Sequence, residues 1–150
     1  MSLKIYTDGS CRGNPGPGGW AWAENSSHYA TGHAEHTTNQ RMEVYAVIDA
    51  LTTFPLDDIE IVSDSNYVVK CFHDSWHKGW LRRGWKNSKG EPVANRDLWE
   101  ILIPLALSTE RRVTFTWVKG HSGDRMNDLV DLLATEAADQ QAGRRRSPSE

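Results

Sequence analysis

The chain opens on a strict alternation. Leu3, Ile5 and Thr7 are separated by Lys4, Tyr6 and Asp8, the period-2 pattern of a strand, and the pattern stops at Asp8. Gly9, Gly13, Gly16, Gly18 and Gly19 follow, with Pro15 and Pro17 among them, where the backbone turns sharply. Gly19 to Ala23 predicts a second strand, Asn25-Ser26-Ser27 a hairpin turn, and Tyr29 to His36 a third strand. The period then becomes helical. Thr37 and Gln40 have the spacing of a capping box. They predict a helix from Arg41 to Phe54, closed by Pro55. Ile59 to Ser63 reads as a strand that also runs into an aspartate, Asp64. Ser65 and Asn66 begin a helix carrying Tyr67, Val68, Val69 and Phe72. Further on, Asp97 to Leu107 predicts a helix faced by Leu98, Leu102 and Leu105, and Val113 to Trp117 a strand. Asp124 to Gln140 predicts a last helix with a stripe of Met126, Val130, Leu133 and Ala137.

Strands and helices in this order predict an α/β fold. If the first and fourth strands are parallel neighbours joined through the first helix, Asp8 and Asp64 stand side by side at their carboxyl ends. Open α/β sheets keep their sites on that edge. Glu43 heads the helix face that holds Val47, Ala50 and Phe54, and a carboxylate there is costly unless paired or bound to a cation. Asp131 follows Asn127 by one turn, on a face beside the apolar stripe. Taken singly, each residue has an ordinary reading. Asp8 would begin an Asx-turn, Glu43 would favour a helix dipole, and Asp131 would be a surface acid. His121, between Gly120 and Gly123, would be a solvated histidine on a mobile loop. Together the four acids lack an evident countercharge in their own segments. A cluster of them would require a cation, and hard oxygen ligands select Mg²⁺ or Mn²⁺. Two such ions roughly 4 Å apart form a clamp suited to phosphodiester chemistry.

Composition adds a partner. The 150 residues are 38% hydrophobic and 25% charged, enough for one domain with a real core. The formal net charge is −3, but Lys78 to Arg96 holds six basic residues and one acid, a local +5 that leaves −8 elsewhere. Trp76, Trp80 and Trp85 interleave with Lys78, Arg82, Arg83, Lys86 and Lys89. Cations that neutralise phosphates beside aromatic faces point to nucleic acid. Cys11 and Cys71 make neither a disulfide framework nor a zinc spacing. With no apolar leader and no run of membrane length, the expectation is a reduced, cytoplasmic, soluble protein. Gly143 to Glu150 carries Arg144-Arg145-Arg146 and no apolar residue, and is expected to fray.

Four stretches, in order along the chain, carry a resemblance. They are Tyr6-Thr7-Asp8-Gly9-Ser10, Thr37-Thr38-Asn39-Gln40-Arg41-Met42-Glu43, Val62-Ser63-Asp64-Ser65, and Trp117-Val118-Lys119-Gly120-His121 leading to Asn127 and Asp131. Over about residues 3 to 139 the chain resembles the bacterial single-domain type I ribonucleases H. The resemblance implies a ribonuclease H-like α/β fold with a five-stranded mixed sheet flanked by helices. The domain would cover residues 1–142, with a basic helical protrusion at about 76–96 and a flexible tail at 143–150. It implies hydrolysis of the RNA strand of RNA–DNA hybrids with two Mg²⁺ ions, Mn²⁺ as a possible substitute, and 5′-phosphate and 3′-hydroxyl ends. Asp8, Glu43, Asp64 and Asp131 take the metal-ligand positions, and His121 that of the histidine that assists proton transfer. Asn14, Asn39 and Gln40 fall where the family contacts the hybrid, and Thr38 and Arg41 where it grips a DNA phosphate. Trp76, Trp80, Arg82, Arg83 and Lys86 fall in its substrate-binding protrusion. Gln40 stands where a second Asn is usual, and the segment between Asp64 and Trp76 is about one residue longer than the common pattern. A monomer is the simplest assembly. A non-catalytic duplex binder and a DNA-directed nuclease of the same broad fold are the competing readings; four intact carboxylates argue against the first, and the lack of room for extra domains against the second.

Overall fold

The computed structural model describes residues 2–148. Six strands form one mixed sheet in the order β5-β4-β1-β2-β3-β6. β1 (Ser2–Cys11), β2 (Gly16–Asn25) and β3 (His28–Thr37) are an antiparallel meander. β4 (Asp58–Ser63) lies parallel to β1, and β5 (Val113–Trp117) lies parallel to β4. The helices are α1 (Asn39–Thr53), α2 (Asn66–His73), α3 (Trp76–Arg82), α4 (Arg96–Ala106) and α5 (Arg125–Gln140).

The alternation along the strands sends side chains to two cores. Ile5, Trp20, Trp22, Ile59 and Ile61 face α1, α2 and α4, where Val44, Val47, Leu51, Val68 and Leu102 meet them. Tyr6, Ala21, Ala23, Tyr29 and Val62 face α5 through Val130, Leu133 and Ala134. Among the described residues no helix is long and apolar enough to cross a membrane.

Several expectations shift. The first helix starts at Asn39, because Thr38 rather than Thr37 is its N-cap and accepts from Arg41 N at 3.2 Å. Thr37 is the last residue of β3. The sheet has six strands, not five. The sixth, β6 (Arg144–Arg146), lies in the stretch expected to fray, and it pairs antiparallel with Tyr29, Ala30 and Thr31. Ladder hydrogen bonds need no apolar side chains, and ion pairs hold the strand in place. Arg145 forks onto Asp49 at 3.0 and 2.7 Å, and Asp49 also accepts the Trp22 indole N–H at 2.7 Å. Arg144 pairs with Glu136 and lies over the Tyr29 ring. Ser149 and Glu150 of the expected tail lie outside the described residues.

Candidate active site

β1 does not end at Asp8. It continues to Cys11, because Ser10 and Cys11 still pair with Gly19 and Gly18 of β2. What ends is the pairing with β4, whose last matched residues are Thr7 and Ser63. Asp8 and Asp64 are the next residue on each strand, so the parallel register sets them side by side. Asp8 is 7% exposed, and its Oδ1 accepts from Gly9 N at 2.8 Å. Burial, then the charges of Asp64, Asp131 and Glu43, push its carboxyl up to about 8, against the pull of the Gly9 hydrogen bond.

Glu43 reaches this place because α1 presses on β1. A Cβ at Gly9 would stand 2.5 Å from Glu43 N and 2.7 Å from the Met42 carbonyl carbon. Both are backbone atoms that cannot yield, so the close approach requires glycine. Burial, helped by Asp64, raises Glu43 to about 7, and a hydrogen bond with Ser65 opposes the rise. Asp64 is also raised, first by burial and then by Asp131. Asn127's hydrogen bond and nearby His121 hold it down in part. Asp131 comes from α5 on the other face of the sheet, and its charge acts on both Asp8 and Asp64. The four expected acids thus converge at one edge, and none is in an ion pair with Lys or Arg among the described residues.

The loop from Lys119 to Gly123 covers Asp64. A Cβ at Gly120 would lie 2.8 Å from Asp64 Oδ2, and the Trp117 indole N–H donates to the Asp64 carbonyl at 3.2 Å. His121 is exposed, with a left-handed φ of 55°. The sequence placed Asn127 on a helix face without giving it a task. Here it is buried against the acids. Asp124 caps α5 by accepting from Met126 N and Asn127 N at 3.0 Å each, and Asn127 Nδ2 donates to Asp64 Oδ2 at 3.4 Å. Its sequence signals were its place in the motif that follows His121 and the one-turn spacing to Asp131.

The carboxylate oxygens are hard donors, the chemistry that suits Mg²⁺ or Mn²⁺. Four crowded acids with no Lys or Arg paired to them among the described residues fit that use. Among the described residues no three His, Cys, Asp or Glu side chains are already drawn into a chelating group. Like charges at close range hold one another apart.

The residues expected to meet substrate divide. Asn14 and Asn39 come together, Asn14 Oδ1 accepting from Asn39 N at 2.9 Å. Thr38, Gln40 and Arg41 share the first turn of α1. Arg41 forks onto Asp97 at 2.9 and 2.7 Å, and its guanidinium touches Asn95 at 3.4 Å. Arg82, Arg83 and Lys86 are exposed and in no ion pair among the described residues. With Trp76 and Lys78, the two arginines line a cleft of about 600 Å³. Trp80 departs from expectation. It is only 8% exposed, because its ring packs between those of Trp76, Trp85 and Trp99, so only an edge of it reaches the cleft. Trp80 anchors the protrusion; Trp76 is half-buried and keeps open surface.

A mixed sheet with an acidic cluster beyond adjacent parallel strands defines a nuclease-like α/β fold. The RNase H family model matches residues 1–139, and the chain belongs to that family. It is 50% identical over 141 residues to the ribonuclease H of Syntrophomonas wolfei subsp. wolfei, covering 90% of this chain and 94% of that one. Among solved structures it is similar to LC9-RNase H1, a type 1 RNase H with the type 2 active-site motif, at 27% identity and a TM-score of 0.82. That match covers 98% of this chain and 78% of the other. The fold is also similar to LC11-RNase H1, solved in complex with RNA/DNA hybrid, at 22% identity and a TM-score of 0.69, over 92% and 97% of the two chains.

Proposed function

We propose that this ribonuclease H cleaves the RNA strand of RNA–DNA hybrids, leaving 5′-phosphate and 3′-hydroxyl ends, with Asp8, Glu43, Asp64 and Asp131 holding two divalent cations. One observation carries the reading: acids from β1, α1, the end of β4 and α5 converge at one sheet edge with no Lys or Arg paired to them among the described residues, and burial, then their neighbours' charges, raises the carboxyl groups of Asp8, Glu43 and Asp64. When bound, Mg²⁺ supplies activation of the attacking water and stabilisation of the leaving oxygen.

The chain's own residues do the rest. Asp8 is fixed by Gly9 N and by burial, so its carboxylate needs little reorganisation. His121, on the loop over Asp64, donates a proton to the leaving oxygen and regains one from solvent, a task suited to imidazole. Asn14, Asn39 and Gln40 face the minor groove, where 2′-hydroxyls mark the RNA strand. Thr38 and Arg41 hold a DNA phosphate at the start of α1, where backbone N–H groups favour anions. Trp76 lies against the DNA sugars, and Arg82, Arg83 and Lys86 neutralise phosphates. The protein acts as a monomer.

The test presents one sequence as hybrid, duplex RNA and duplex DNA, with Mg²⁺ and with a chelator. The reading expects cuts in the RNA strand of the hybrid alone, and only with Mg²⁺. Equal cutting of duplex DNA, or hybrid cutting that survives chelation, overturns it.

A further inference from the structure

Asn127 belongs to the motif that follows His121, and none of the roles above uses it. It is 1% exposed. The Asp124 cap fixes its backbone, and its amide meets one of the four acids, Nδ2 donating to Asp64 Oδ2 at 3.4 Å. The reverse orientation would set Oδ1 against a carboxylate oxygen, so Asp64 itself selects the orientation of the amide. From the other side Gly120 closes on the same Oδ2. The remaining amide oxygen, Asn127 Oδ1, is buried and has no hydrogen-bond partner among the described residues. A sealed, unpaired acceptor is unfavourable, and an apolar residue of the same shape would avoid it. Packing alone therefore does not account for asparagine at this place in α5.

We propose that Asn127 is a positioning residue: by donating to Asp64 Oδ2 it fixes the Asp64 side chain and so sets how tightly the four-acid cluster holds a divalent cation. This rests on the reading that those acids hold the cations. Groups that orient a metal ligand from behind typically change affinity by about 10- to 100-fold when removed. Asn127→Leu keeps the volume and removes both the donor and the unpaired acceptor.

The experiment titrates Mg²⁺ alone into the whole protein by calorimetry and follows thermal unfolding in chelator. It then measures kcat and KM on a hybrid at saturating Mg²⁺. For Asn127→Leu we expect Mg²⁺ affinity weaker by about 10- to 100-fold and a melting temperature equal to or above that of the parent. We also expect a lower kcat with KM changed less than about twofold. Asn127→Ser, a smaller change, serves if the leucine variant does not fold, and its Mg²⁺ affinity should fall in the same direction. Mg²⁺ affinity at the parent value in a folded variant overturns the proposal and leaves the ribonuclease reading intact. A lowered melting temperature with unchanged affinity does the same, since it assigns Asn127 to packing. A parent protein that binds no Mg²⁺ overturns both.

Discussion

The acidic cluster and the basic protrusion hold opposite charge by opposite means. Asp8, Glu43 and Asp64 are drawn out of water by the sheet edge, α1 and the Lys119–Gly123 loop, and their carboxyl groups rise through burial first and then through one another's charge, with no Lys or Arg paired to them among the described residues. In the protrusion the charged groups stay in water. The burial falls on Trp80 and Trp99, with Trp85 half-buried against Trp80, while Arg82, Arg83 and Lys86 stay exposed. Charge in a low-dielectric site is concentrated and expensive, and it suits a tightly held ion. Charge on an exposed helix is screened and cheap, and it suits steering and weak contacts along a polymer.

The sharpest way to break this contrast is to remove one buried charge. Asp64→Asn keeps the shape and the backbone contacts. On the reading proposed above we expect activity on a hybrid in Mg²⁺ to fall roughly 10³-fold or more, since several kcal/mol of charge stabilisation is lost at about 1.36 kcal/mol per decade. Single-turnover rates check it, and near-parental turnover would show that the cluster is not the centre of the chemistry.

The next largest effect belongs to the anchor. Trp80→Ala should cost about 3–5 kcal/mol of stability, read from urea midpoints, as expected for a buried tryptophan. The Arg82→Ala, Arg83→Ala, Lys86→Ala triple variant should leave the midpoint within about 0.5 kcal/mol, because its groups are exposed. Similar midpoints for the two would erase the division between anchor and charge.

That triple variant sharpens the contrast on the binding side. Each cation that meets a phosphate contributes about 0.9 to the slope of log K against log salt for duplex DNA. We expect a raised KM on hybrid and a slope flatter by up to about 3 units, with kcat little changed. A salt series of KM values decides it. An unchanged slope would make the stretch a solvated helix without contacts to substrate.

The last effect is on pH. Asp8 titrates near 8 and Glu43 near 7 in the fold, against 3.8 and 4.5 ordinarily. The folded state therefore holds protons that the unfolded chain has released. The stability these groups add is fully present below about pH 4 and is lost as pH rises through 7 to 8. Melting temperatures in chelator at pH 5.5, 7 and 8.5 should fall in that order from this source, and Asp8→Asn should flatten the fall. A flat parental profile would contradict the burial of the cluster.

Much of this was legible in the chain. Alternation gave β1 and β4, and two aspartates at the ends of apolar runs located the edge, because the meander β1–β2–β3 leaves β3 running with β1 and the α1 crossover then sets β4 parallel beside β1. Glu43 was legible because a carboxylate interrupts an apolar helix face. Other features depend on contacts between distant segments. Whether Trp80 stacks on substrate or packs inside depends on Trp85 and Trp99, which no local period reports. β6 has no alternation at all, and its place depends on Arg145 meeting Asp49 across 96 positions. Gly9 read as a flexible turn residue, but its work is in β1, where the absent side chain lets α1 touch the sheet.

β6 also bears on how the molecule keeps to itself. Without it, Tyr29 to Thr31 would present unpaired N–H and carbonyl groups at the rim of a ten-residue strand, the template on which chains polymerise edge to edge. Three consecutive arginines supply the missing ladder, two of them tied down by Asp49 and Glu136, and charged side chains on an outer strand disfavour further edge pairing. The ion pairs to Asp49 and Glu136 weaken with ionic strength. Colloidal behaviour in concentrated salt is thereby tied to a segment remote from the acids, and a fusion or tag joined beyond Arg146 would load the bolt that keeps this side shut.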